Sequence, residues 1–330
     1  MIDSYERNID YMRISITDRC NLRCTYCMPN GIEMEEHESI LTFEEMIRIC
    51  RLASELGIKN IKITGGEPFV RKDAIDLIRQ IKELPKIEHV TITTNGVLLA
   101  EHIDELKEMG IDGINVSLDT LKPDVFAQIT GRDEFHRVWN GIMKSIESGI
   151  TTKINCVPQK GVNDNELLDM VELAVHMPVD VRFIEMMPIG YGKEHEPFHG
   201  EDIYRMIVNK YPDVVDIDKK RGFGPARYIT GENFKGNIGF IDAISHKFCS
   251  SCNRIRLTAR GFLKPCLCYG EGMDLNTVIR SGTDDMVIKE LLEKAIASKP
   301  YEHNFAERNA KDKTSTEHSN EQREMYKIGG

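Results

Sequence analysis

The sequence predicts an α/β chain built from parallel βα units, followed by a mixed α/β region. Three observations predict it. Strand-like runs alternate with helical patterns as far as residue 187, and short connections between such runs require parallel crossovers. The strands are polar on one face, where parallel strands are normally apolar on both. The alternation stops after Pro188, where Gly190, Gly192, Pro197 and Gly200 mark a boundary. Six such units fit either an open barrel or a doubly wound sheet.

The predicted strands are Met12–Thr17, Asn60–Thr64, His89–Thr94, Gly113–Leu118, Thr152–Val157 and Asp180–Glu185. Helical spacing fills roughly 43–56, 73–84, 101–109, 123–148 in two pieces, and 164–176. The first helix has a capping box, Thr42 with Glu45, and stops at Gly57. Its apolar stripe Phe43, Met46, Ile47, Cys50, Ala53, Leu56 makes Cys50 a core residue. Cys156, between apolar neighbours in a strand, reads the same way. No repeat beyond the alternation and no low-complexity tract is present. Residues 303–324 are very polar and predict a mobile segment.

The polar strand face carries the first functional signal. Arg13, Ser15 and Thr17 oppose Ile14 and Ile16, and Lys62 and Thr64 oppose Ile61 and Ile63. Thr91 and Thr93, Asn115 and Ser117, Lys153 and Asn155, and Arg182 continue the polar set. The apolar set must face the covering helices, which turns the polar set inward. A packed core does not tolerate Arg13, Lys62, Lys153 and Arg182 without counter-charges. An open lumen holding an anionic ligand uses them. The alternative is one solvated sheet face, and crossover helices on both faces argue against it.

Composition bounds the function classes. The chain has 330 residues, 41% of them hydrophobic, so a core forms without staples. Lys plus Arg is 43 and Asp plus Glu is 53, a formal charge of −10, which argues against a general nucleic-acid coat. No run approaches the ~18 apolar residues of a membrane helix, and Met1–Asp10 lacks the apolar core of a secretory leader. A cytoplasmic, reducing location is expected, with no nucleic-acid or membrane partner.

In that setting nine cysteines, an odd number, read as metal ligands rather than disulfides. Cys20, Cys24 and Cys27 form C-x3-C-x2-C in the loop after the first strand. Cys249, Cys252 and Cys266 form C-x2-C-x13-C, with Cys268 two residues on. Three thiolates leave one position of a metal centre open. Iron–sulfur is the stronger reading for the first trio, because His37 is the nearest candidate for a fourth zinc ligand. For the second, a zinc knuckle completed by Cys268 is the alternative. Gly65-Gly66-Glu67-Pro68, Asn95-Gly96 and Asp119 follow the next strands and gather at the same rim.

Cys20-Asn21-Leu22-Arg23-Cys24-Thr25-Tyr26-Cys27 resembles the signature of the radical S-adenosylmethionine (SAM) superfamily, and Gly65-Gly66-Glu67-Pro68 resembles its second motif. Asp18-Arg19 before the trio, Met28-Pro29 after it, Thr93-Thr94-Asn95-Gly96, Asn115–Asp119, Arg182–Glu185, Phe248–Arg256 and the final Gly329-Gly330 resemble the GTP-cyclising family that opens molybdenum cofactor biosynthesis. The resemblance covers nearly the whole chain.

It implies a partial (β/α)6 TIM-like open barrel over 1–188 and, over 189–330, a C-terminal mixed α/β extension closing the barrel mouth and ending in a mobile Gly-Gly tail. It implies two 4Fe–4S clusters, on Cys20, Cys24 and Cys27 and on Cys249, Cys252 and Cys266, the second binding the guanine base. Tyr26, Gly66, Glu67, Ser117 and Met187 map to SAM-binding positions. Arg13, Lys62, Thr93, Lys153, Arg182, Arg254 and Arg256 map to GTP contacts, with Arg13, Arg254, Arg256, Gly329 and Gly330 in the catalytic set. Lys62 stands where the family carries Arg, keeping the charge without the bidentate fork. The implied reaction uses a 5′-deoxyadenosyl radical to take the ribose 3′ hydrogen of GTP, and the sugar radical adds to guanine C8. An electron donor of flavodoxin or ferredoxin type, a functional link to cyclic pyranopterin monophosphate synthase and a homodimeric assembly complete the implied partners.

Overall fold

The computed structural model describes residues 1–31, 37–218, 221–305 and 320–329. Its strands are β1 (Tyr11–Ser15), β2 (Asn60–Thr64), β3 (His89–Thr94), β4 (Gly113–Ser117), β5 (Thr152–Cys156), β6 (Asp180–Ile184), β7 (Val215–Asp216), β8 (Arg227–Thr230), β9 (Ile238–Ile241), β10 (Arg254–Leu257), β11 (Phe262–Lys264) and β12 (Met273–Asp274). Its α-helices are α1 (Phe43–Glu55), α2 (Ala74–Lys82), α3 (Ile103–Glu108), α4 (Pro123–Thr130), α5 (Phe135–Glu147), α6 (Leu167–His176), α7 (Gly200–Lys210), α8 (Leu275–Arg280) and α9 (Asp285–Ala297). Among the described residues no helix is long and apolar enough to cross a membrane.

The chain forms two compact units, neither contiguous in sequence. The first comprises 1–21, 30–92 and 249–330; the second comprises 22–29 and 93–248. In the first unit β10, β1, β2 and β3 run parallel, and β11 and β12 extend the β10 edge antiparallel. In the second, β4, β5, β6 and β9 run parallel, and β8 and β7 extend the β9 edge antiparallel. Each unit therefore recruits a strand from the C-terminal region into its parallel ladder.

Burial alternates fully in β3 and β5, whereas in β1, β2, β4 and β6 the polar parity is partly buried as well, at Ser15, Thr64, Asn115 and Arg182. Met12, Ile14, Ile61, Ile63, Val90, Ile92, Ile114, Val116, Ile154, Cys156 and Val181 are fully buried. Arg13, Lys62, Thr91, Thr93, Ser117, Lys153 and Asn155, on the other parity, are half-buried. The capping box is formed: Glu45 N–H donates to Thr42 Oγ1 at 3.2 Å and Thr42 N–H to Glu45 Oε2 at 2.7 Å. Cys50, on α1, is fully buried, as expected for a core thiol.

Two elements end differently from the sequence pattern. β1 stops at Ser15, because Ser15 Oγ donates to Thr17 O at 3.1 Å and Arg19 N–H to Thr17 Oγ1 at 3.1 Å, folding the chain out of the ladder. α6 begins at Leu167 rather than 164, because buried Glu166 accepts from Thr120 Oγ1 at 2.6 Å and Leu121 N–H at 3.0 Å. Most of the polar segment 303–324 lies outside the described residues.

Candidate functional site

In the first unit, neighbouring strands place four cations at one register level. Lys264 of β11 lies opposite Arg256 of β10, Arg256 opposite Arg13 of β1, and Arg13 opposite Lys62 of β2. Side chains at one level of adjacent strands stand on the same face. The Arg256 guanidinium is pushed down to about 9 by burial and by the charges of Arg13 and Arg254, while Cys252 and Cys266 act in the opposite sense. Such crowding of like charge suits a multiply anionic ligand, which guanidinium forks grip through oxygen pairs. Arg256 Nη1 donates to Gly329 O at 2.9 Å, so the C-terminal tail reaches this row. Gly330 lies outside the described residues.

The second cysteine group adjoins this row. Cys249, Cys252 and Cys266 are half-buried thiols. Burial raises the Cys249 thiol, and the charges of Cys266 and Cys252 add to it, which places the three within electrostatic reach. Burial also acts to raise Cys252, but Arg254 and Lys299 outweigh it and hold the thiol at about 6. Lys299 Nζ is fixed by Arg254 O at 2.9 Å and Pro265 O at 2.7 Å. A thiol already drawn toward thiolate is the donor an iron–sulfur cluster needs, so this trio fits one. Cys268, by contrast, is fully buried, with its Sγ 3.5 Å from Asn304 Oδ1. Among the described residues no group of three or more His, Cys, Asp or Glu is arranged to hold a metal ion. Arg7 steadies the loop, donating to Cys249 O at 2.9 Å and Pro300 O at 2.8 Å.

The Gly65-Gly66-Glu67 turn follows β2 and is stitched to the chain before Cys20. Gly66 N–H donates to Thr17 O at 2.7 Å and Glu67 N–H to Arg19 O at 2.8 Å. A Cβ on Gly66 would stand 2.4 Å from Arg19 O, so only glycine permits this approach. Glu67 is fully buried, and its Oε1 accepts from Phe69 N–H at 3.2 Å.

In the second unit, Cys24 and Cys27 lie in one turn, closed by Cys27 N–H to Cys24 O at 3.0 Å. The turn is clipped to the end of α4 by Arg23 N–H to Thr130 O at 2.7 Å and Thr25 N–H to Ile129 O at 2.9 Å. Three free, half-buried cysteines within eight residues (20–27) fit the three-thiolate cluster the motif implies. Tyr26 donates its hydroxyl to Asp119 Oδ2 at 2.8 Å, and Asp119 Oδ1 accepts from Val157 N–H at 2.8 Å. Burial lifts the Asp119 carboxyl to about 6 against these two hydrogen bonds.

Arg182 is held by Asn115 Oδ1 and by Asn155 Oδ1, the latter at 2.9 Å from Nε and 2.6 Å from Nη2. Gly239, its partner across β6–β9, leaves room for it, since a Cβ there would stand 2.8 Å from Arg182 Cγ. Lys153 Nζ is 3.1 Å from Asp180 Oδ2 and 3.0 Å from Tyr228 Oη. Thr93 and Ser117 are half-buried near the ends of β3 and β4, and Met187 is half-buried just after β6.

The structure therefore brings Arg13, Lys62, Arg254, Arg256 and Gly329 together with the second cysteine trio in one unit. It gathers Tyr26, Cys24 and Cys27 in the other, which also carries Ser117, Lys153, Arg182 and Met187. Sequence reasoning missed Asp119 as the partner of Tyr26, Asp180 as that of Lys153, and Lys299 beside Cys252. Asp119 and Asp180 had a signal in their strand-end positions. Lys299 comes from a distant helix end and had none.

A chain with this strand pattern, a C-x3-C-x2-C loop after β1 and a glycine-rich turn after β2 belongs to the radical SAM superfamily, whose match covers residues 14–174. A solved structure, Streptococcus suis SuiB bound to S-adenosylmethionine, superposes with a TM-score of 0.63 over 88% of this chain and 68% of that one, at 18% identity. The fold is the partial (β/α)6 TIM-like barrel. Residues 179–305 match the molybdenum cofactor synthesis C-terminal family.

Within the superfamily the chain belongs to the GTP 3′,8-cyclase family. The Clostridium perfringens (strain 13 / Type A) GTP 3′,8-cyclase is 42% identical over 100% of both chains. The Syntrophomonas wolfei enzyme is 45% identical, also over 100% of both, and that of Desulforamulus reducens is 44% identical over 92% of this chain and 95% of its own.

Proposed function

We infer that the chain is a radical SAM GTP 3′,8-cyclase with two 4Fe–4S clusters, catalysing the first step of molybdenum cofactor biosynthesis. The product is (8S)-3′,8-cyclo-7,8-dihydroguanosine 5′-triphosphate. The observation that carries this is the cation row Arg256, Arg13, Lys62 beside a thiol trio, in a chain that also has the radical SAM cysteine loop. A reduced cluster with bound S-adenosylmethionine supplies 5′-deoxyadenosyl radical chemistry.

We assign the chain's own tasks as follows. Cys20, Cys24 and Cys27 hold the first cluster; Cys249, Cys252 and Cys266 hold the second. Tyr26, Gly66, Glu67, Ser117 and Met187 bind SAM, with Asp119 fixing the Tyr26 hydroxyl. Arg13, Lys62, Thr93, Lys153, Arg182, Arg254 and Arg256 bind GTP. Their charges neutralise the triphosphate and hold the ribose 3′ carbon and guanine C8 for ring closure, which is positioning work. Arg13, Arg254, Arg256 and the tail ending Gly329-Gly330 act at the cyclisation step. We keep a two-part division at 1–188 and 189–330 on the break in the strand–helix alternation after Pro188; the two family matches, 14–174 and 179–305, favour a division of this kind about ten residues earlier. We further assign an electron donor of flavodoxin or ferredoxin type, passage of product to cyclic pyranopterin monophosphate synthase, a homodimer and a cytoplasmic location. Thiolate-held clusters need a one-electron donor and a reducing setting.

The test is anaerobic incubation of the reconstituted protein with GTP, SAM and dithionite, followed by chromatographic separation of the nucleotides and tandem mass spectrometry. The cyclised nucleotide, with the mass of GTP, is expected together with 5′-deoxyadenosine. 5′-Deoxyadenosine with no cyclised nucleotide would overturn the substrate assignment.

A further inference from the structure

The first unit contains a buried ion cluster that the chemistry above does not use. Lys264 is 0% and Glu321 1% exposed. Lys264 Nζ donates to Glu321 Oε2 and to Tyr269 O, the latter at 2.5 Å. Arg323 grips the same carboxylate, Nε to Oε1 and Nη2 to Oε2, both at 2.9 Å. Around it, Glu321 N–H donates to Cys268 O at 2.9 Å, and Arg323 Nη2 donates to Gly270 O at 3.1 Å. Together these contacts fix where the C-terminal segment 320–329 begins its path.

The other end of that segment is fixed by Arg256, which donates to Gly329 O. Gly329 takes a left-handed φ of +72°, and a Cβ there would stand 3.1 Å from Ser15 Cβ. Tyr326 and Ile328 between the two ends are buried. Lys264 and Arg256 are cross-strand partners of β11 and β10. Two neighbouring members of one cation row thus hold the two ends of the tail.

We propose that the Lys264–Glu321–Arg323 cluster is a latch that sets the reach of the C-terminal tail, with Glu321 as the positioning residue that keeps Gly329 on Arg256. This rests on the reading of Arg256 as a GTP-contacting residue. A hydrophobic pair of similar volume often packs as well as a buried ion pair or better. What ions and their directional hydrogen bonds add is register: a carboxylate gripped from several sides cannot slide along the strand as an apolar side chain can.

The test compares Glu321→Gln and the double variant Lys264→Met/Glu321→Met with the wild type, all anaerobically reconstituted. The double variant keeps its Tm within a few degrees, because the two fully buried charges leave together and the remaining Arg323, a third exposed, keeps its bond to Gly270 O and turns to solvent. Its amides over 321–329 exchange about tenfold faster or more as the tail frays. Cyclised product per 5′-deoxyadenosine falls about tenfold to a hundredfold through misplacement of the tail. Normal amide protection with a normal product ratio in the double variant would overturn the latch. So would equal losses of Tm, SAM cleavage and product in both variants, because that pattern marks a merely structural pair. If the wild type makes no cyclised nucleotide, the reading of Arg256 fails on its own, while the exchange measurement still tests the latch.

Discussion

Replacing Arg256 by Met should stabilise the ligand-free protein while weakening GTP binding. Its guanidinium faces Arg13 one strand away and Lys62 two strands away. At strand spacings of roughly 5 and 10 Å and an effective dielectric of about 20, the repulsions are about 3 and 2 kcal/mol. Arg254, two residues along the same strand at roughly 7 Å, adds about 2 kcal/mol, and Cys252 and Cys266, which favour the charged form, offset about 5 kcal/mol of the total of about 7. Losing the bond to Gly329 O costs about 1 kcal/mol. The balance is a gain of about 1 kcal/mol, or about 2 °C in Tm. GTP loses a charge-assisted contact worth about 2–3 kcal/mol, so Kd rises about 30- to 150-fold. Anaerobic scanning calorimetry and titration calorimetry read the two effects. A destabilised variant with wild-type GTP affinity would refute the argument, because it would make Arg256 a structural cation.

Other outcomes follow from the same geometry. Cys24→Ser should abolish 5′-deoxyadenosine production, measured by chromatography after dithionite reduction. Cys266→Ser should lose about half the iron while Cys268→Ser keeps it, read by iron and sulfide analysis; the reverse pattern would exchange their roles. Asp119, lifted to about 6 from 3.8, binds its proton more tightly in the folded state. Its contribution is present below pH 3.8 and is lost as pH rises through 6, about 3 kcal/mol in all. Asp119→Asn removes that slope. Its Tm relative to wild type should rise between pH 5 and 7, and a constant difference would show that burial does not govern this carboxyl.

The barrel strands were legible because each carries one apolar and one polar face. The inward parity of Arg13, Lys62, Lys153 and Arg182 could be read for the same reason. The short strands β9 and β10 were not legible as members of the parallel ladders. Four residues carry too little pattern, and their pairing with β6 and β1 is decided by tertiary contacts. The choice between Cys266 and Cys268 was hidden likewise. Both are thiols two residues apart, and only the surroundings of Cys268, buried against Asn304, separate them. Arg7 in the polar N-terminal stretch gave no hint that its guanidinium closes over the carbonyls of Cys249 and Pro300.

The chain holds its cations in two ways, and the difference bears on how it treats a polyanion. Arg182 is oriented by the neutral oxygens of Asn115 and Asn155, and Arg256 by the neutral carbonyl of Gly329. Neutral acceptors fix a guanidinium without cancelling its charge, so the field offered to a ligand stays whole. Lys153 and Lys264 are instead paired with the carboxylates of Asp180 and Glu321. Burial acts to raise the Asp180 carboxyl, yet Lys153 and its other partners hold it below its ordinary value, so part of that lysine's charge is already answered within the protein. The two arginines therefore keep their charge unanswered by a carboxylate, while Lys153 and Lys264 share theirs with the frame. Lys62, at the level of Arg13 and carrying a compact ammonium, adds charge to the row without imposing fork geometry on the ligand.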